Sequence, residues 1–528
     1  MFDLRKILLA VVGLALVVAG PGSLGAQKYG GVLKSSQRAN PPSLSPHDEA
    51  TFVTSWPMSA VYDNLLRFDP LQVVESMDAV QPHLAESFAW DASNTRLTFK
   101  LHRGVKWHDG KPLTAKDVKH TFDVVRGASS KRLKLNPRKL WYKNVTDIVT
   151  NGDYEVTFVL SRPQPSLVPM LASNYSPIYP AHVDPQQVRT KANGTGPFKL
   201  AEYKRDIILK TVKNPDYWMK GRPYLDGIDF VVINKKATRT AALQAGQVDV
   251  SEPTETDQQV YEQVKDHPGL EFNKAYPHSN VNFLINANKP PFDNPKLRTA
   301  LNMAMDRYAY TRSAQPGYLV GGFQPPVPQG SWGIPLAELK NIPGYRDPQM
   351  DKEGARKIMR ELGYGPDNRF KVKVSTRSTA NYVSGATWAV GELQQIYMDA
   401  ELEIVETGNW HAKVARRDYT LALNATGAGI DDPDVPFFES FSCGSQRNYN
   451  DYCNKELQVL FDKQSAMVDQ NARRKLAQQI ERQLVEDVAR ISLGFRINYN
   501  ARYRYVKNFV GHNTNYNWPA WEEVWLDK

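Results

Sequence analysis

Residues 410–453 carry the side chains of this chain that are best suited to bind a ligand. The stretch holds a single tryptophan, an adjacent pair of arginines at 416–417, the only two cysteines, and a segment rich in Gly and Asp at residues 425–434. Glycine allows a backbone to approach a ligand closely, and Pro433 stops a helix or strand from continuing. Loops of this composition on a rigid scaffold often bind small molecules, so we expect a ligand site here.

The N-terminus has the three-part layout of a secretory signal. Arg5 and Lys6 precede an apolar run at residues 7–19, and small residues follow it up to Ala26. This run is too short to span a membrane comfortably, so we predict a cleaved signal peptide at residues 1–26 and a periplasmic mature chain; an uncleaved anchor is the alternative. No later stretch approaches the ~18 uninterrupted apolar residues of a membrane helix.

The two cysteines favour a disulfide once the chain is exported. Cys443 and Cys453 lie among loop-type residues in a compartment that is oxidising, and closing so short a loop would add roughly 2–3 kcal/mol on the chain-entropy model. The alternative is a pair of buried free thiols.

The positive charge does not indicate nucleic-acid binding. The formal net charge is +10, but the basic residues are dispersed, and the densest cluster, residues 131–139, lacks the interleaved aromatic side chains of a strand-binding surface. A solvated face, or weak attraction to anionic ligands and membrane surfaces, explains the charge better.

Motifs for catalysis or metal binding are absent from the sequence. His102, His108 and His120 are close together, but no HExxH, CxxC or paired Cys/His spacing accompanies them. No GxSxG segment or Walker loop is present, and the cysteines are expected to be oxidised. We therefore expect no metal, no cofactor and no enzyme activity; a secreted hydrolase is the alternative, and it would require a nucleophile or a carboxylate pair facing a cleft.

Periodicity predicts the elements that position these residues. Residues 97–101 and 156–160 alternate apolar and polar side chains, which is typical of half-buried strands. Thr114 and Asp117 form a capping-box pattern that begins a helix at Ala115–Arg126. Other strands are predicted at residues 207–212, 228–233, 281–285, 419–424 and 491–505, and other helices at residues 238–245, 296–306, 455–468 and 471–488.

One strand–helix–strand pattern indicates the fold class. A strand at residues 372–375, a helix at 387–399 and a strand at 402–406 favour a parallel strand pair and therefore an α/β domain. With 528 residues the chain is long enough for two or three domains.

Five segments of this sequence occur in an order that is typical of one protein family. They are residues 97–118 (LTFKLHRGVKWHDGKPLTAKDV), 194–198 (GTGPF), 214–218 (NPDYW), 244–249 (QAGQVD) and 291–301 (PFDNPKLRTAL). Together they resemble the family 5 extracellular solute-binding proteins, which are the dipeptide-, oligopeptide- and nickel-binding components of ABC importers. The resemblance covers nearly all of the mature chain.

The resemblance implies a fold and a domain plan. The expected fold is a two-lobed periplasmic binding protein (type II, cluster C-like), with an extra subdomain in the first lobe and a ligand enclosed between the lobes. We predict lobe I at residues 27–277, including an inserted subdomain at about 50–190, lobe II at 278–495, and a return to lobe I at 496–528. The implied partners are a small-molecule ligand and the membrane permease of an ABC importer, with the binding protein itself a monomer.

The resemblance also implies ligand-binding residues in lobe II. In peptide-binding relatives a Trp in the cleft and an Arg seven residues later grip the peptide, and Trp410 and Arg417 match both at that spacing. Gly429 stands where those relatives carry the Asp that pairs with a peptide's α-amino group. Asp431 could substitute for it only if the turn is reshaped. The alternatives are a core Trp410, a solvated Arg417 and a turn acid at Asp431.

Four further residues complete the predicted site. Arg377 is expected in the loop after the strand at 372–375, near the carboxylate-binding Arg of dipeptide-binding relatives; its alternative is a surface arginine. Tyr382 in the same loop and Asn424 at a strand end are expected to line the cleft. The early loop at residues 40–46, which contains Leu44, is expected to form the opposite wall.

The ligand class stays open at this point. A peptide or peptide-like solute is the first expectation from the resemblance. An oligosaccharide or organic anion is the alternative, because the amine anchor is missing and the 25 Tyr and 11 Trp could stack on sugars.

Overall fold

The structure is a computed structural model that describes residues 27–49, 51–253, 255–327, 329–514, 517 and 519–528. The predicted signal peptide at residues 1–26 lies outside the described residues. Within the described part of the chain, helices and strands are mixed, and none of these helices combines the length and apolar character needed to cross a membrane.

The strands are β1 Val32–Gln37, β2 Leu66–Phe68, β3 Val80–Pro82, β4 Ala85–Trp90, β5 Arg96–Leu101, β6 Val145–Thr150, β7 Glu155–Leu160, β8 Phe198–Lys204, β9 Ile208–Lys213, β10 Gly227–Val232, β11 Leu270–Ala275, β12 Ser279–Ile285, β13 Phe370–Arg377, β14 Met398–Val405, β15 Leu421–Gly427, β16 Ile491–Phe495, β17 Asn498–Tyr503, β18 Val506–Lys507 and β19 Trp525–Leu526.

The helices are α1 Phe52–Met58, α2 Ala115–Arg126, α3 Leu167–Ala172, α4 Pro185–Val188, α5 Lys236–Gln244, α6 Gln258–Val264, α7 Pro295–Ala304, α8 Arg307–Ala309, α9 Leu336–Leu339, α10 Pro348–Glu361, α11 Ala380–Gln394, α12 Thr407–Ala415, α13 Asp434–Pro436, α14 Lys455–Ser465 and α15 Gln470–Glu486. Short 3₁₀ or π turns occur at Met77–Ala79, Lys139–Tyr142, Tyr310–Ala314 and Phe437–Phe441.

Two four-stranded sheets belong to the N-terminal half of the chain. One has the order β1-β10-β9-β8, with β1 parallel to β10 and the other pairs antiparallel. The other is the antiparallel sheet β4-β5-β7-β6, against which α2 packs. A single large apolar core that includes Trp56, Phe99, Phe158 and Trp521 joins the two sheets. These sheets therefore form one packed unit, which also includes C-terminal residues.

A five-stranded sheet organises the middle of the chain, with the order β14-β13-β15-β12-β16. Strand β13 is parallel to both β14 and β15, whereas β12 is antiparallel to β15 and β16. The C-terminal ends of β13 and β15 therefore meet at one edge of the sheet, beside the start of β12, where Ser279 pairs with Gly427. This edge brings side chains that are distant in sequence to one place.

In the described part of the chain, two adjacent connections link the two units. Strands β11 and β17 pair on one side of the crossing, and β12 and β16 pair on the other. The connecting stretches are residues 276–278 and 496–497, and the Arg496 amide donates to the Ser279 carbonyl over 3.0 Å. Two short neighbouring connections of this kind are what a hinge requires. The lobe limits given above stay predictions.

Most elements predicted from periodicity are confirmed. Helix α2 occupies the predicted Ala115–Arg126, and the Thr114–Asp117 capping box is formed. The predicted parallel pair is β13 and β14.

The start of α11 was predicted wrongly. This helix begins at Ala380 and not at residue 387. Its first turns contain Ser384 and Gly385, which disfavour a helix on intrinsic propensity, but Tyr382 and Ala386 are buried there. Tertiary packing therefore overrides local preference.

Candidate functional site

A cavity of about 450 Å³ lies at the sheet edge where β13 and β15 end. Its walls come from both units of the structure. Arg38, Thr51 and Phe52 contribute from the N-terminal unit, and residues of the five-stranded sheet and its loops contribute from the other side.

Arg377 and Tyr382 form one wall of this cavity. Arg377 is the last residue of β13 and not a loop residue as predicted, because the strand extends two residues beyond 375. Its guanidinium carbon lies 5.1 Å from the centroid of the Tyr382 ring, and that of Arg496 lies 5.5 Å from the same ring. Burial raises the pKa of the Tyr382 phenol, but the charges of Arg496, Arg377 and Arg38 outweigh this and lower the pKa below its ordinary value.

Arg38 faces the cavity from the other unit, one residue after β1. Its guanidinium Nη1 lies 3.1 Å from Glu255 Oε1 and 3.5 Å from Glu252 Oε1. These buried carboxylates fix the direction of the guanidinium.

The loop between the cysteines contributes Arg447, whose guanidinium donates to the buried Glu439 carboxylate. The predicted disulfide between Cys443 and Cys453 is present, and the Asn448 side chain donates to the Ser442 carbonyl over 3.1 Å inside the loop. The cross-link and the internal hydrogen bonds therefore hold Arg447 against the cavity.

Removal of the disulfide should loosen this loop. We expect the Cys443→Ser/Cys453→Ser double variant to lose roughly 2–3 kcal/mol of unfolding free energy, because the unfolded chain regains the entropy of an open loop. Urea unfolding of the oxidised wild type and the variant measures the difference. Dithiothreitol should destabilise the wild type alone, and equal stability of the oxidised and reduced wild type would contradict the assignment.

Two neutral side chains offer unused hydrogen-bonding capacity at the cavity. The Asn424 Oδ1 and His411 Nε2 atoms are buried and have no hydrogen-bond partner among the described residues. Burial, together with the charges of Arg377 and Arg447, lowers the pKa of the His411 imidazole to about 3, so His411 is neutral at physiological pH. Both side chains are suited to hydroxyl or amide groups of a ligand.

Trp410 does not line this cavity. It lies within α12, and its indole is fully buried in a cluster with Leu284, Val414, Ala422 and Tyr449. The next residue, His411, faces the cavity instead. This position matches the alternative given above, in which Trp410 is a core residue. Its indole packs in the apolar cluster on the inner side of α12.

Arg417 and Leu44 also lie away from this cavity. Arg417 Nη2 is 2.8 Å from Asp451 Oδ1, in an ion pair that ties the end of α12 to the disulfide loop. Leu44 is 2% exposed and belongs to the apolar core of the N-terminal unit. Neither is among the residues that line the cavity.

Gly429 lies where the loop after β15 meets the N-terminal unit. A Cβ atom on this glycine would lie 3.0 Å from Ser173 Oγ and 3.5 Å from the Trp141 ring, and its carbonyl accepts from the Asn517 amide over 2.8 Å. Protein atoms therefore occupy the space beside Gly429.

Asp431 is held by protein groups of its own. Its Oδ2 accepts from the Ser331 hydroxyl over 2.6 Å, its Oδ1 lies 3.6 Å from His278 Nδ1, and its carbonyl accepts from the Trp332 indole over 2.9 Å. It lines a different, smaller cavity of about 350 Å³.

Of the eight residues predicted to bind ligand, the structure thus brings Arg377, Tyr382 and Asn424 together at one cavity. Sequence reasoning did not single out Arg38, His411 or Arg447 there. Arg447 had a usable signal, because it lies inside the predicted disulfide loop. Arg38 had none, since its position depends on how the two units face each other.

A second cavity, of about 520 Å³, lies within the N-terminal unit. Its lining includes Asp63, Glu75 and His83, and all of its lining residues come from before residue 175 or after residue 511. A ligand there would not be enclosed between the two units, so the cavity at the edge of the five-stranded sheet is the better candidate for capture by hinge closure.

Comparisons with known proteins agree on one kind of protein. A family model described as "Bacterial extracellular solute-binding proteins, family 5 Middle" matches residues 79–448. The Probable di/tripeptide-binding protein 5 of Pseudomonas aeruginosa is 24% identical over 443 residues, which cover 77% of this chain and 80% of that protein. The Glutathione-binding protein GsiB of Salmonella choleraesuis is 26% identical over 416 residues, 77% of this chain and 75% of the relative.

Two solved structures show the same fold. The periplasmic binding protein DppA of Helicobacter pylori in complex with the peptide STSA has a TM-score of 0.83 at 22% identity, covering 95% of this chain and 99% of that one. The binding protein AgaA from A. tumefacien R10 in complex with agropinic acid has a TM-score of 0.79 at 23% identity, covering 94% and 99%.

Proposed function

This chain belongs to the bacterial extracellular solute-binding proteins of family 5, and from that membership we propose that it captures a small solute, a peptide or a peptide-like molecule, for an ABC importer. The predicted α/β fold of a two-lobed periplasmic binding protein is confirmed by the structural likenesses. The N-terminal unit corresponds to the first lobe and the five-stranded unit to the second.

The observation that carries this proposal is the cavity between the lobes. Arg38 and Phe52 of the first lobe and Arg377 and Asn424 of the second face the same space. Rotation about the two adjacent connections near residues 277 and 497 would open this space to solvent and close it over a solute. A permease can then distinguish the closed form from the open one, and the solute favours the closed form because it contacts both lobes only there.

Export and the lack of catalysis complete the proposal. The protein would act as a monomer in the periplasm after cleavage of residues 1–26, and deliver its solute to the permease unchanged. The relatives support this setting, since the Helicobacter pylori protein is described as an ABC transporter-associated periplasmic binding protein.

A thermal-shift screen of the mature chain tests the function. The panel comprises di- and tripeptides, glutathione, oligosaccharides and organic acids. A true ligand should raise the unfolding midpoint, because binding to the folded state adds about 2.7 kcal/mol at a concentration of about one hundred times Kd. Asn424→Ala should reduce the shift, whereas Asn368→Ala, at an exposed position, should leave it unchanged.

Two results would count against this proposal. The first is a panel in which no class of solute stabilises the wild type. The second is turnover: if a stabilising compound is recovered as hydrolysis products, the chain is a hydrolase and not a carrier.

A further inference from the structure

An ionic contact joins the two lobes at Asp462. This residue lies in α14, which packs against α15 of the second lobe, and α15 leads into β16 of the five-stranded sheet. Arg162 of the first lobe donates from Nη2 to Asp462 Oδ1 over 2.7 Å, and the Lys143 ammonium group donates to the same oxygen. One carboxylate therefore binds two cations of the opposite lobe.

The topology of the first lobe places both cations at one point. Lys143 lies two residues before β6, and Arg162 lies two residues after β7. Strands β6 and β7 are antiparallel, with Val145 opposite Leu160, so the chain enters and leaves this hairpin at the same end. The Arg162 Nε also donates to the Asn144 side-chain oxygen over 3.2 Å, which orients the guanidinium. The two cations are thus presented together to the second lobe.

This contact is partly withdrawn from water. The three side chains are between 23% and 35% accessible, and the Lys143 Nζ lies 4.2 Å from the ring centroid of Phe438, a buried residue of the second lobe. Burial raises the pKa of the Asp462 carboxyl, but the hydrogen bonds from Lys143 and Arg162 outweigh this and hold the pKa below its ordinary value. Salt screens such a partly buried pair less than an exposed one.

Other contacts show that the lobes are closed on each other in this structure. Ile430 and Val435 of the second lobe are each 1% exposed and pack in the apolar core of the first lobe. The Ser166 hydroxyl of the first lobe donates to Asp434 of the second.

Opening of the hinge would break the contact at Asp462. Asp462, Lys143 and Arg162 lie outside the two connections at residues 276–278 and 496–497, so rotation about these connections moves the carboxylate relative to its cations. A hydrogen bond of 2.7 Å is lost after a displacement of about 1 Å. The three residues are not among those that line the cavity between the lobes. The contact therefore stabilises the closed arrangement without touching a solute.

We propose that Asp462, Lys143 and Arg162 form a latch that keeps a large fraction of the solute-free protein closed and thereby raises the affinity for every solute bound between the lobes; this inference rests on the proposed hinge closure. Asp462 is a positioning residue, because it acts through the lobes and not on the solute. A solute that binds the closed form has an apparent affinity proportional to the closed fraction. The latch therefore changes affinity by the same factor for solutes of different chemistry.

Small-angle X-ray scattering of the mature chain alone tests the latch. Asp462→Lys brings three cations together, so it should open the lobes and increase the radius of gyration. Asp462→Glu keeps the charge and should keep the wild-type radius, as should Glu456→Lys at an exposed acid of the same helix. The thermal unfolding midpoint shows that each variant is folded. Equal radii for folded Asp462→Lys and the wild type would overturn the proposal.

A double-mutant cycle assigns the effect to this contact. The paired substitution Lys143→Gln/Arg162→Gln should increase the radius of gyration of the wild type, but it should not increase that of Asp462→Asn, whose cations have already lost the carboxylate. The same increase in both backgrounds would show that the cations act elsewhere and would overturn the proposal.

Affinity gives a second measure of closure. Isothermal titration compares glutathione and trialanine, two probes of different chemistry. We expect Asp462→Lys to weaken both by the same factor, about three- to tenfold, as the closed fraction falls. Asn424→Ala, at a residue that lines the cavity, should change the ratio of the two affinities. A loss with Asp462→Lys that is confined to one probe would overturn the proposal.

The latch and the capture role fail in different ways. If Asp462→Lys opens the free protein but no probe or panel compound binds the wild type, the latch stands and the capture role is wrong. If solutes bind, and Asp462→Lys changes neither the radius of gyration nor their affinity, the capture role stands and the latch is wrong.

Discussion

Replacement of Arg473 by methionine is expected to lower the free energy of unfolding by about 3–5 kcal/mol, the usual cost of removing one partner from a buried ion pair. Arg473 is 1% exposed, and its Nη1 and Nη2 atoms lie 2.6 and 2.7 Å from the two oxygens of Asp432. Nη2 also lies 3.4 Å from Asp434 Oδ1. Without the guanidinium, two buried carboxylates lose their counter-charge.

This loss should be larger at pH 8 than at pH 5. Burial already raises the pKa of Asp432 to about 6, although Arg473 opposes the shift. Removing Arg473 raises the folded-state pKa further above the unfolded value, so the folded variant prefers the protonated acid. Its stability is therefore retained at low pH and lost as the pH rises through the folded-state pKa.

The same helix supplies a matched control. Arg482 lies on α15 like Arg473, but its ion pair with Glu338 is exposed, and its side chain is 40% accessible. Arg482→Met should change the unfolding free energy by no more than about 0.5 kcal/mol. Urea unfolding of both variants at pH 5 and pH 8 measures the difference, and equal midpoints for Arg473→Met and Arg482→Met would contradict this account.

The ion cluster also connects stability to the binding site. Asp432 lies in the loop that follows β15, Asp434 begins α13, and the Ser166 hydroxyl of the first lobe donates to Asp434 over 2.5 Å. Arg473 thus supports a loop that touches both lobes. Any solute that binds between the lobes should bind more weakly to Arg473→Met than to Arg482→Met.

Substitution of Trp410 by alanine is the second large effect, and we expect a loss of about 3–5 kcal/mol of unfolding free energy. The indole is fully buried against Leu284, Val414 and Ala422, so truncation leaves a cavity beneath α12. Because His411 on the same helix faces the ligand cavity, affinity should also fall, by more than about tenfold.

Stability without ligand separates packing from direct contact. If Trp410 acts by packing, Trp410→Ala lowers the unfolding midpoint of the unliganded protein, and Trp410→Phe, which keeps a ring in the cluster, lowers it much less. A Trp410→Ala variant that is as stable as the wild type but binds no solute would show that the indole contacts the ligand directly, and the packing account would be wrong.

Local patterns in the sequence were sufficient for much of the fold. Alternation identified β5 and β7, and a capping box located the first residue of α2, because both signals depend on neighbouring residues alone. Local patterns did not predict the start of α11. Ser384 and Gly385 disfavour a helix, but they are helical here because Tyr382 and Ala386, in the same turns, are buried against other elements.

The candidate site shows the same division. The family resemblance predicted Arg377 and Tyr382 in the loop after the strand at 372–375 and Asn424 at a strand end. The structure instead places Arg377 at the end of β13, Tyr382 in α11 and Asn424 within β15, and the edge formed by β13 and β15 brings the three together. The packed position of Trp410 could not be read from the sequence, since a tryptophan on a short helix can face either side. Spacing relative to Arg417 did not decide which side is buried.

The sequence alone determined the family, the α/β class and the loop that carries the disulfide. It also showed that position 429 holds a glycine and not an acid. These depend on residue identity and on short-range order. Only the tertiary structure decided that Arg38 of one lobe shares a cavity with Arg377 and Arg447 of the other. The lining of that cavity depends on contacts between segments hundreds of residues apart, which are set by how two packed lobes face each other and by no local pattern.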